Sequence, residues 1–371
     1  MRIAELDLRN FRNYERAAMS LDPGVTVIHG PVGAGKTNLL EAIYFGALGK
    51  SFRTANDREL VRFGESATRV CVTSANGVSE RRFEVGLEPG RLKVMKVDGV
   101  RRERLADVEG RPLLCVFMPD RLELVKGAAA SRRAHLDTVV SALRPAQREV
   151  RALYGRALAQ RNVRLARVRA GAASTGSLGS WNRELAIRGI ELMNLRARAL
   201  ELIAPHFTRH ARELGFEHDG HGKYGEADLP GAGIEYRPSS TASSEPELEA
   251  ELAAATEKDV ERGFTTIGPH RDDVRIEAGG RELRRFGSQG QQRLALLALL
   301  LAERDALVES AGMRPVLLLD DVMSELDNSR RRLLLDVLLA GGQTLMTTAD
   351  PASVDADGIA RLHVVEGAVD G

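Results

Sequence analysis

Apolar and polar positions change their rhythm twice along this chain. The first third alternates, as half-buried strands do. Ile3, Leu6 and Leu8 predict a first strand and a second run ends at Leu21, where Asp22-Pro23-Gly24 turns the chain into the buried strand Val25-Thr26-Val27-Ile28. Leu39, Leu40, Ala42 and Ile43 then recur at helical spacing. Thr68 to Val72, Arg81 to Val85 and Leu92 to Val97 read as antiparallel strands of a hairpin-rich lobe. Leu113-Leu114-Cys115-Val116-Phe117 reads as a buried strand closed by Pro119. From about Asp120 to Phe216 the pattern is helical, with a small-residue turn at Gly171 to Gly179. Gly215 to Gly233 reads as a loop, Pro238 to Pro246 as a Ser/Thr-rich linker, and Glu245 to Glu261 as an acidic helix. The last third returns to α/β: an apolar helix from Leu294 to about Leu307, a strand over Val316 to Leu319, and another over Thr344 to Thr348. No internal repeat is visible.

The length of 371 residues fits about two domains, or one large domain with an insertion, and 43% hydrophobic residues can bury a sizeable core. Basic and acidic residues nearly cancel, 53 against 52, so net charge names no partner. Their distribution says more. Residues 138–183 hold nine arginines (144, 148, 151, 156, 161, 164, 167, 169 and 183) and a single acid, Glu149. This stripe is either a solvated helical face or a contact surface for a phosphate backbone, which needs positive charge and no particular sequence. Cys71 and Cys115 form no metal-ligand spacing, and His218 and His221 read as loop histidines. The start lacks an apolar signal region, and the longest apolar run, Leu294 to Ala302, is far short of the ~20 residues that span a bilayer. A reduced, cytoplasmic protein with no membrane segment is expected.

The chemistry centres on Gly30-Pro31-Val32-Gly33-Ala34-Gly35-Lys36-Thr37, which fits the phosphate-binding pattern G-x-x-x-x-G-K-[ST]. A strand delivers the loop and a helix N-terminus points its free N–H groups at the anion. The glycines let the backbone wrap round phosphates, Lys36 reaches the β- and γ-phosphates, and the Thr37 hydroxyl sits on Mg²⁺. The strand Val316 to Leu319 ends in Asp320-Asp321, the acidic partner such a loop needs. Asp320 would hold Mg²⁺ through water and Asp321 would polarise the attacking water. Thr344 to Thr348 ends in hydroxyls where a γ-phosphate sensor would sit. Phe286 to Arg293, with Ser288 and Gly290, is a polar, glycine-interrupted loop feeding a helix, again anion-binding geometry. ATP and Mg²⁺ are the expected cofactors.

The order of these parts narrows the class. A GTPase would carry Asn-Lys-x-Asp, and Asn-Lys occurs nowhere. A transporter ATPase usually sets its two motifs closer together than Lys36 and Asp320. With Ser288-Gln289-Gly290-Gln291-Gln292 before the acidic strand, the arrangement resembles the head of an ABC-type ATPase of the chromosome-maintenance and DNA-repair branch. Asn10-Phe11-Arg12-Asn13-Tyr14, Gly35 to Tyr44, Lys50-Ser51-Phe52-Arg53-Thr54, Val125-Lys126-Gly127 and Arg132-Arg133 resemble the RecF family. So do Gly268-Pro269-His270-Arg271-Asp272-Asp273 and Leu318 to Asp327, which extends the likeness over nearly the whole chain.

The resemblance implies an α/β fold: an ABC-type P-loop ATPase head, with a β-rich N-terminal lobe and an α/β core, plus an inserted helical domain. Residues 1–120 and 263–371 would form the head and 121–262 the arm. No helix-compatible run there exceeds about 40 residues, which keeps any helix under about 60 Å. The resemblance further implies a recombination mediator that acts with RecO and RecR at single-strand gaps in DNA and helps RecA assemble, with links to replication and the SOS response. ATP-dependent homodimerisation, DNA binding and slow ATP hydrolysis follow from it too. Carried over by motif, Gly30, Pro31, Val32, Gly33, Ala34, Gly35, Lys36, Thr37 and Asn38 form the phosphate loop. Ser288, Gly290 and Gln291 cap the partner's ATP, Thr37 and Asp320 hold the metal, and Asp321 with Lys36 serves hydrolysis. Two positions depart from the family: Val32 stands where Asn is usual, and Pro119-Asp120-Arg121-Leu122 where Pro-Glu-Asp-Leu is usual. Two activities stay open, an ATPase whose hydrolysis drives a cycle and a DNA clamp in which ATP is a dimerisation ligand and hydrolysis a timer. The clamp is preferred, with a transporter-type or structural chromosome ATPase as the alternative.

Overall fold

The computed structural model describes residues 1–105, 108, 110–216, 231–312, 314–354 and 356–370, so His218 and His221 lie outside the described residues. The chain forms two compact units, residues 1–120 with 312–371 and residues 121–311. This division places 263–311, which the sequence groups with the head, in the second unit.

Alternation builds the N-terminal part. β1 (Arg2–Phe11) and β2 (Tyr14–Ser20) form a hairpin, followed by β3 (Val25–His29) and α1 (Lys36–Leu48). β4 (Thr68–Ala75), β5 (Glu80–Leu87), β6 (Val94–Val97) and β7 (Val100–Arg102) continue the hairpins, and β8 (Leu114–Phe117) follows. The antiparallel sheet runs β2-β1-β4-β5-β6-β7. α1 is apolar on most of its surface and touches β4 and β5, with Leu39, Leu40, Ile43 and Phe45 in the core. Gly46 permits the close approach, since a Cβ there would lie 2.6 Å from Val72 Cγ2.

In the second unit, α2 (Glu123–Lys126), α3 (Ala129–Leu143), α4 (Val150–Arg169) and α5 (Gly179–Glu213) make up the helical stretch read from the sequence, and the expected turn at Gly171 to Gly179 separates α4 from α5. α5 has 35 residues, about 52 Å at 1.5 Å each. β9 (Gly233–Arg237), α6 (Glu245–Ala254), α7 (Thr256–Arg262), β10 (Asp273–Ala278), β11 (Arg281–Glu282), α8 (Leu283–Phe286) and α9 (Gln289–Ala311) complete it. The expected linker 238–246 is anchored: Ser239 N donates to Asp272 Oδ1 (2.7 Å) and Ser240 Oγ to Glu251 Oε2 (2.6 Å). Two motifs that carry the family likeness meet here. Arg132 grips Asp273 through two bonds (2.7 and 2.9 Å), and Arg133 donates to Asp272 O (2.6 Å).

The arginine stripe is not one surface. Tyr154, Ala157, Arg161 and Leu165 form the buried face of α4. Arg161, fully buried, donates to Asp259 Oδ2 (2.7 Å), Thr265 Oγ1 (2.8 Å), Asn182 Oδ1 (2.8 Å) and Leu252 O (3.2 Å). A side chain so enclosed touches no DNA, and the phosphate-contact reading fails for this residue. The acidic helix complements the stripe here, through Asp259 of α7.

The first unit closes with β12 (Val316–Leu319), α10 (Asn328–Leu339), β13 (Thr344–Thr348), β14 (Ala360–Val365) and β15 (Ala368–Asp370). They complete a second sheet in the order β15-β14-β3-β13-β12-β8, parallel from β14 to β8. β12, buried at every position, is a continuous apolar run, as burial on both faces demands, whereas β14 alternates buried and exposed positions. Among the described residues no helix is long and apolar enough to cross a membrane.

Candidate nucleotide site

The parallel sheet sets the site at the carboxyl ends of its strands, where open α/β sheets bind ligands. β3 ends at His29 and hands the chain to the loop; β12 ends at Leu319, just before Asp320; β13, lying between them, ends in Thr347-Thr348. Two glycines are required by contact as well as by conformation. A Cβ on Gly30 would come 2.1 Å from Val364 O, and one on Gly35, at φ 113°, would strike the Asn13 side chain at 2.4 Å.

Loop and acidic strand meet through hydroxyls. Thr37 Oγ1 donates to Asp320 Oδ1 at 2.8 Å and Thr347 Oγ1 to the same oxygen at 2.7 Å. Thr347 Oγ1 also accepts from Asp321 N (2.9 Å). Asp321 sits in the left-handed region at φ 47°, a conformation of the kind that collects at functional sites. Its Oδ2 accepts from Ser324 Oγ (2.8 Å), while its Oδ1 is buried with no partner among the described residues. That oxygen is free to take a proton-bearing ligand.

Lys36 Nζ lies within the loop, donating to Gly30 O (2.8 Å) and Pro31 O (2.9 Å). Burial pulls its pKa below the ordinary lysine value, and the charges of Asp321 and Asp320 oppose that shift. Thr37 and Asp320 present hard oxygen donors close enough to share one ion. Mg²⁺ suits them, because it keeps several waters and takes one or two protein oxygens beside substrate phosphates. No cluster of three or more His, Cys, Asp or Glu able to hold a metal occurs among the described residues, so such an ion would depend on the phosphates for further ligands.

The hairpin beside the loop holds residues to which the sequence assigned no role. Asn13 Nδ2 donates to Ala34 O and Asn38 Nδ2 to Asn13 Oδ1, each at 2.8 Å. Tyr14 OH donates to Gly35 O (2.9 Å), and burial pushes its pKa up. The buried carboxylate of Glu41 is held by Arg12 through two 2.8 Å bonds and by Ser51 Oγ at 2.6 Å. An open cleft of 710 Å³ is bordered by Arg12, Asn13, Asn38, Arg53, Arg62 and Phe63. The stretches 10–14 and 50–54 had signalled family likeness only; their contacts to the loop are tertiary.

Val32, the first departure from the family, is exposed, and the side chain of Asp120 in the second lies outside the described residues. Ser288, Gly290 and Gln291 belong to the second unit. Ser288 N donates to Gln291 Oε1 (3.0 Å) and Gln291 N to Ser288 Oγ (3.2 Å). This is a reciprocal helix cap, legible in the sequence as Ser-x-x-Gln before an apolar run.

A glycine loop entering a helix from a parallel strand, facing an acid at the end of a second strand, defines a P-loop ATPase head. The head of an Smc protein bound to the C-winged helix domain of ScpA shares this fold, at TM-score 0.58 and 17% identity over 99% of this chain and 96% of that one. A family model for the RecF/RecN/SMC N terminal domain matches residues 2–86. The DNA replication and repair protein RecF of Symbiobacterium thermophilum is 36% identical over 361 residues, 94% of this chain and 92% of the relative. That of Herpetosiphon aurantiacus is 35% identical over 396 residues, 100% and 99% of the two chains. A solved structure of the recombination mediator protein RecF-ATP in the RecFOR pathway matches at TM-score 0.84 and 30% identity, over 99% of this chain and 96% of that one. The chain belongs to the RecF family of DNA replication and repair proteins.

Proposed function

We propose that this protein is an ATP-switched DNA-binding clamp that acts as a recombination mediator at single-strand gaps. The observation that carries the nucleotide part is the convergence of the Thr37 and Thr347 hydroxyls on Asp320 Oδ1. It joins the phosphate loop to the acidic strand in one site. The solved RecF-ATP relative supports ATP as the ligand. Backbone N–H groups of residues 30–38 and Lys36 bind the phosphates, Thr37 and Asp320 hold Mg²⁺, and the nucleoside lies toward the cleft bordered by Arg12, Asn13 and Phe63. When bound, Mg²⁺ neutralises charge on the β- and γ-phosphates. Asp321 orients water through its Oδ1, which has no partner among the described residues.

Ser288, Gly290 and Gln291 of a second copy complete the site, so ATP brings two chains together and slow hydrolysis releases them. The RecFOR setting of the relative supports RecO and RecR as partners, with RecA loaded on the gap, and a role in the SOS response follows from the same reading. Lys36→Ala should lower ATP affinity at least tenfold and abolish ATP-dependent binding to gapped DNA, because it removes the one loop cation aimed at the phosphates. Titration with a fluorescent ATP analogue measures the first effect. Unchanged affinity would refute the site.

A further inference from the structure

Between α4 and the start of α5 lies a cleft of 390 Å³, lined among others by Arg156, Ala157, Gln160, Ser180, Trp181 and Glu184. Its volume is that of a small-molecule site. Trp181 is the only tryptophan in the chain and is left partly exposed in the cleft instead of enclosed in the core. Arg156, Gln160, Arg164 and Arg167 follow at helical spacing along one face of α4, away from the face that buries Arg161. The side chains of Arg156, Arg164 and Arg167 have no ion pair among the described residues. The acid of the cleft, Glu184, already accepts from Arg188 Nε (3.1 Å), which offsets its charge. α5 starts at Gly179 directly after a short 3-10 turn (Thr175–Leu178) whose Gly176 O takes the Gly179 N–H, and Ser180 and Trp181 sit in its first turn, at the positive end of a 35-residue helix.

An aromatic face, amide and hydroxyl groups beside it, and unpaired arginines alongside are the parts of a site for unpaired nucleic acid. A base would stack on the ring, with Gln160 and Ser180 at its edge, and the flanking phosphates would meet the arginines. In a duplex the faces of the bases are covered by their neighbours, so only the phosphate contacts remain. We propose that this cleft binds a single-stranded stretch of DNA, with one base stacked on Trp181. The inference rests on the DNA-binding reading above and adds to it: the second unit discriminates single strand from duplex.

The lone tryptophan is its own reporter. Titrating the full-length protein, with ATP and Mg²⁺, with an oligothymidine strand should quench its fluorescence, and a blunt duplex of equal length should not. Anisotropy of the same DNAs carrying a label measures binding independently. Trp181→Ala should weaken single-strand affinity about tenfold (~1.4 kcal/mol, within the range for stacking one base) and leave duplex affinity unchanged. Trp181→Phe, which keeps a ring, should restore most of the affinity while removing the signal. Arg156→Ala combined with Arg164→Ala should lower the salt dependence of single-strand binding. If labelled single strand binds with neither quenching nor sensitivity to Trp181→Ala, the stacking site is wrong and the cleft is left to a protein partner. If no DNA binds with or without ATP, the clamp reading itself falls.

Discussion

Arg161→Met should destabilise the second unit by about 3 kcal/mol and leave the DNA-binding surface intact. Methionine fills much of the arginine's volume, so a cavity contributes little. The cost comes from Asp259, which is fully buried and would lose its only ion-pair partner among the described residues. Removing one member of a buried pair typically costs about 3–5 kcal/mol. Asp259 Oδ1 keeps its bonds from Thr266 N (2.9 Å) and Thr266 Oγ1 (2.6 Å), which places the loss at the low end. For a unit of this size each kcal/mol lowers Tm by about 2–4 °C, so the transition should fall by about 6–12 °C in a calorimetric scan. Arg161→Met with Asp259→Leu should recover the part of the loss due to the unpaired carboxylate, while Asn182 Oδ1, Thr266 N and Thr266 Oγ1 still lose their bonds. A Tm within about 1 °C of the parent would refute the argument. So would a stable variant whose DNA binding loses a unit of salt slope, for Arg161 would then be touching phosphate.

Other consequences can be checked in the same way. His270 Nε2 donates to Thr265 O (3.0 Å) and Nδ1 accepts from Tyr154 OH (2.6 Å), so the neutral ring is built in and burial holds its pKa below 6.5. As pH falls through 6.5 the unfolded chain binds a proton the native chain refuses, so this contribution to stability rises with pH across that window and is lost below it. Melting at pH 5 and pH 8 should show a smaller difference for His270→Gln than for the parent; equal differences would exclude the assignment. Thr347→Val removes the hydroxyl that holds Asp320 Oδ1 and Asp321 N, and should slow ATP hydrolysis about tenfold with ATP binding less affected, as phosphate-release and binding assays would read. Ser288→Arg should abolish the ATP-dependent dimer while sparing ATP binding by the monomer, whereas Asp321→Asn should prolong the dimer. Light scattering with ATP, with ADP and without nucleotide separates the two, and a Ser288→Arg variant that still dimerises would end the shared-site model.

The sequence by itself determined the parts whose signal is local. The phosphate loop needs its glycines, Lys36 and Thr37 in a fixed order, so the motif and its flanking strand and helix were legible as a string. The same holds for Asp320 at the end of an apolar run, and for the strands whose alternation matches their pleat. The family likeness was legible too, because it is carried by short motifs. Roles that depend on distant partners were not. Asn13 and Tyr14 support the loop only because the β1–β2 hairpin lies beside it. The sequence read the hydroxyls at the end of Thr344–Thr348 as a place for a γ-phosphate sensor, but the bonds of Thr347 to Asp320 and Asp321 come from the place of β13 between β3 and β12, which no spacing along the chain announces. Arg161 shows the limit most plainly: by composition it belongs to a positive stripe, yet helical phase turns it inward onto Asp259, 98 residues away. A guanidinium reads the same in any string. Whether it meets water, a phosphate or a buried carboxylate is decided by packing, because the free energy of a charge depends on its surroundings far more than on its neighbours in sequence.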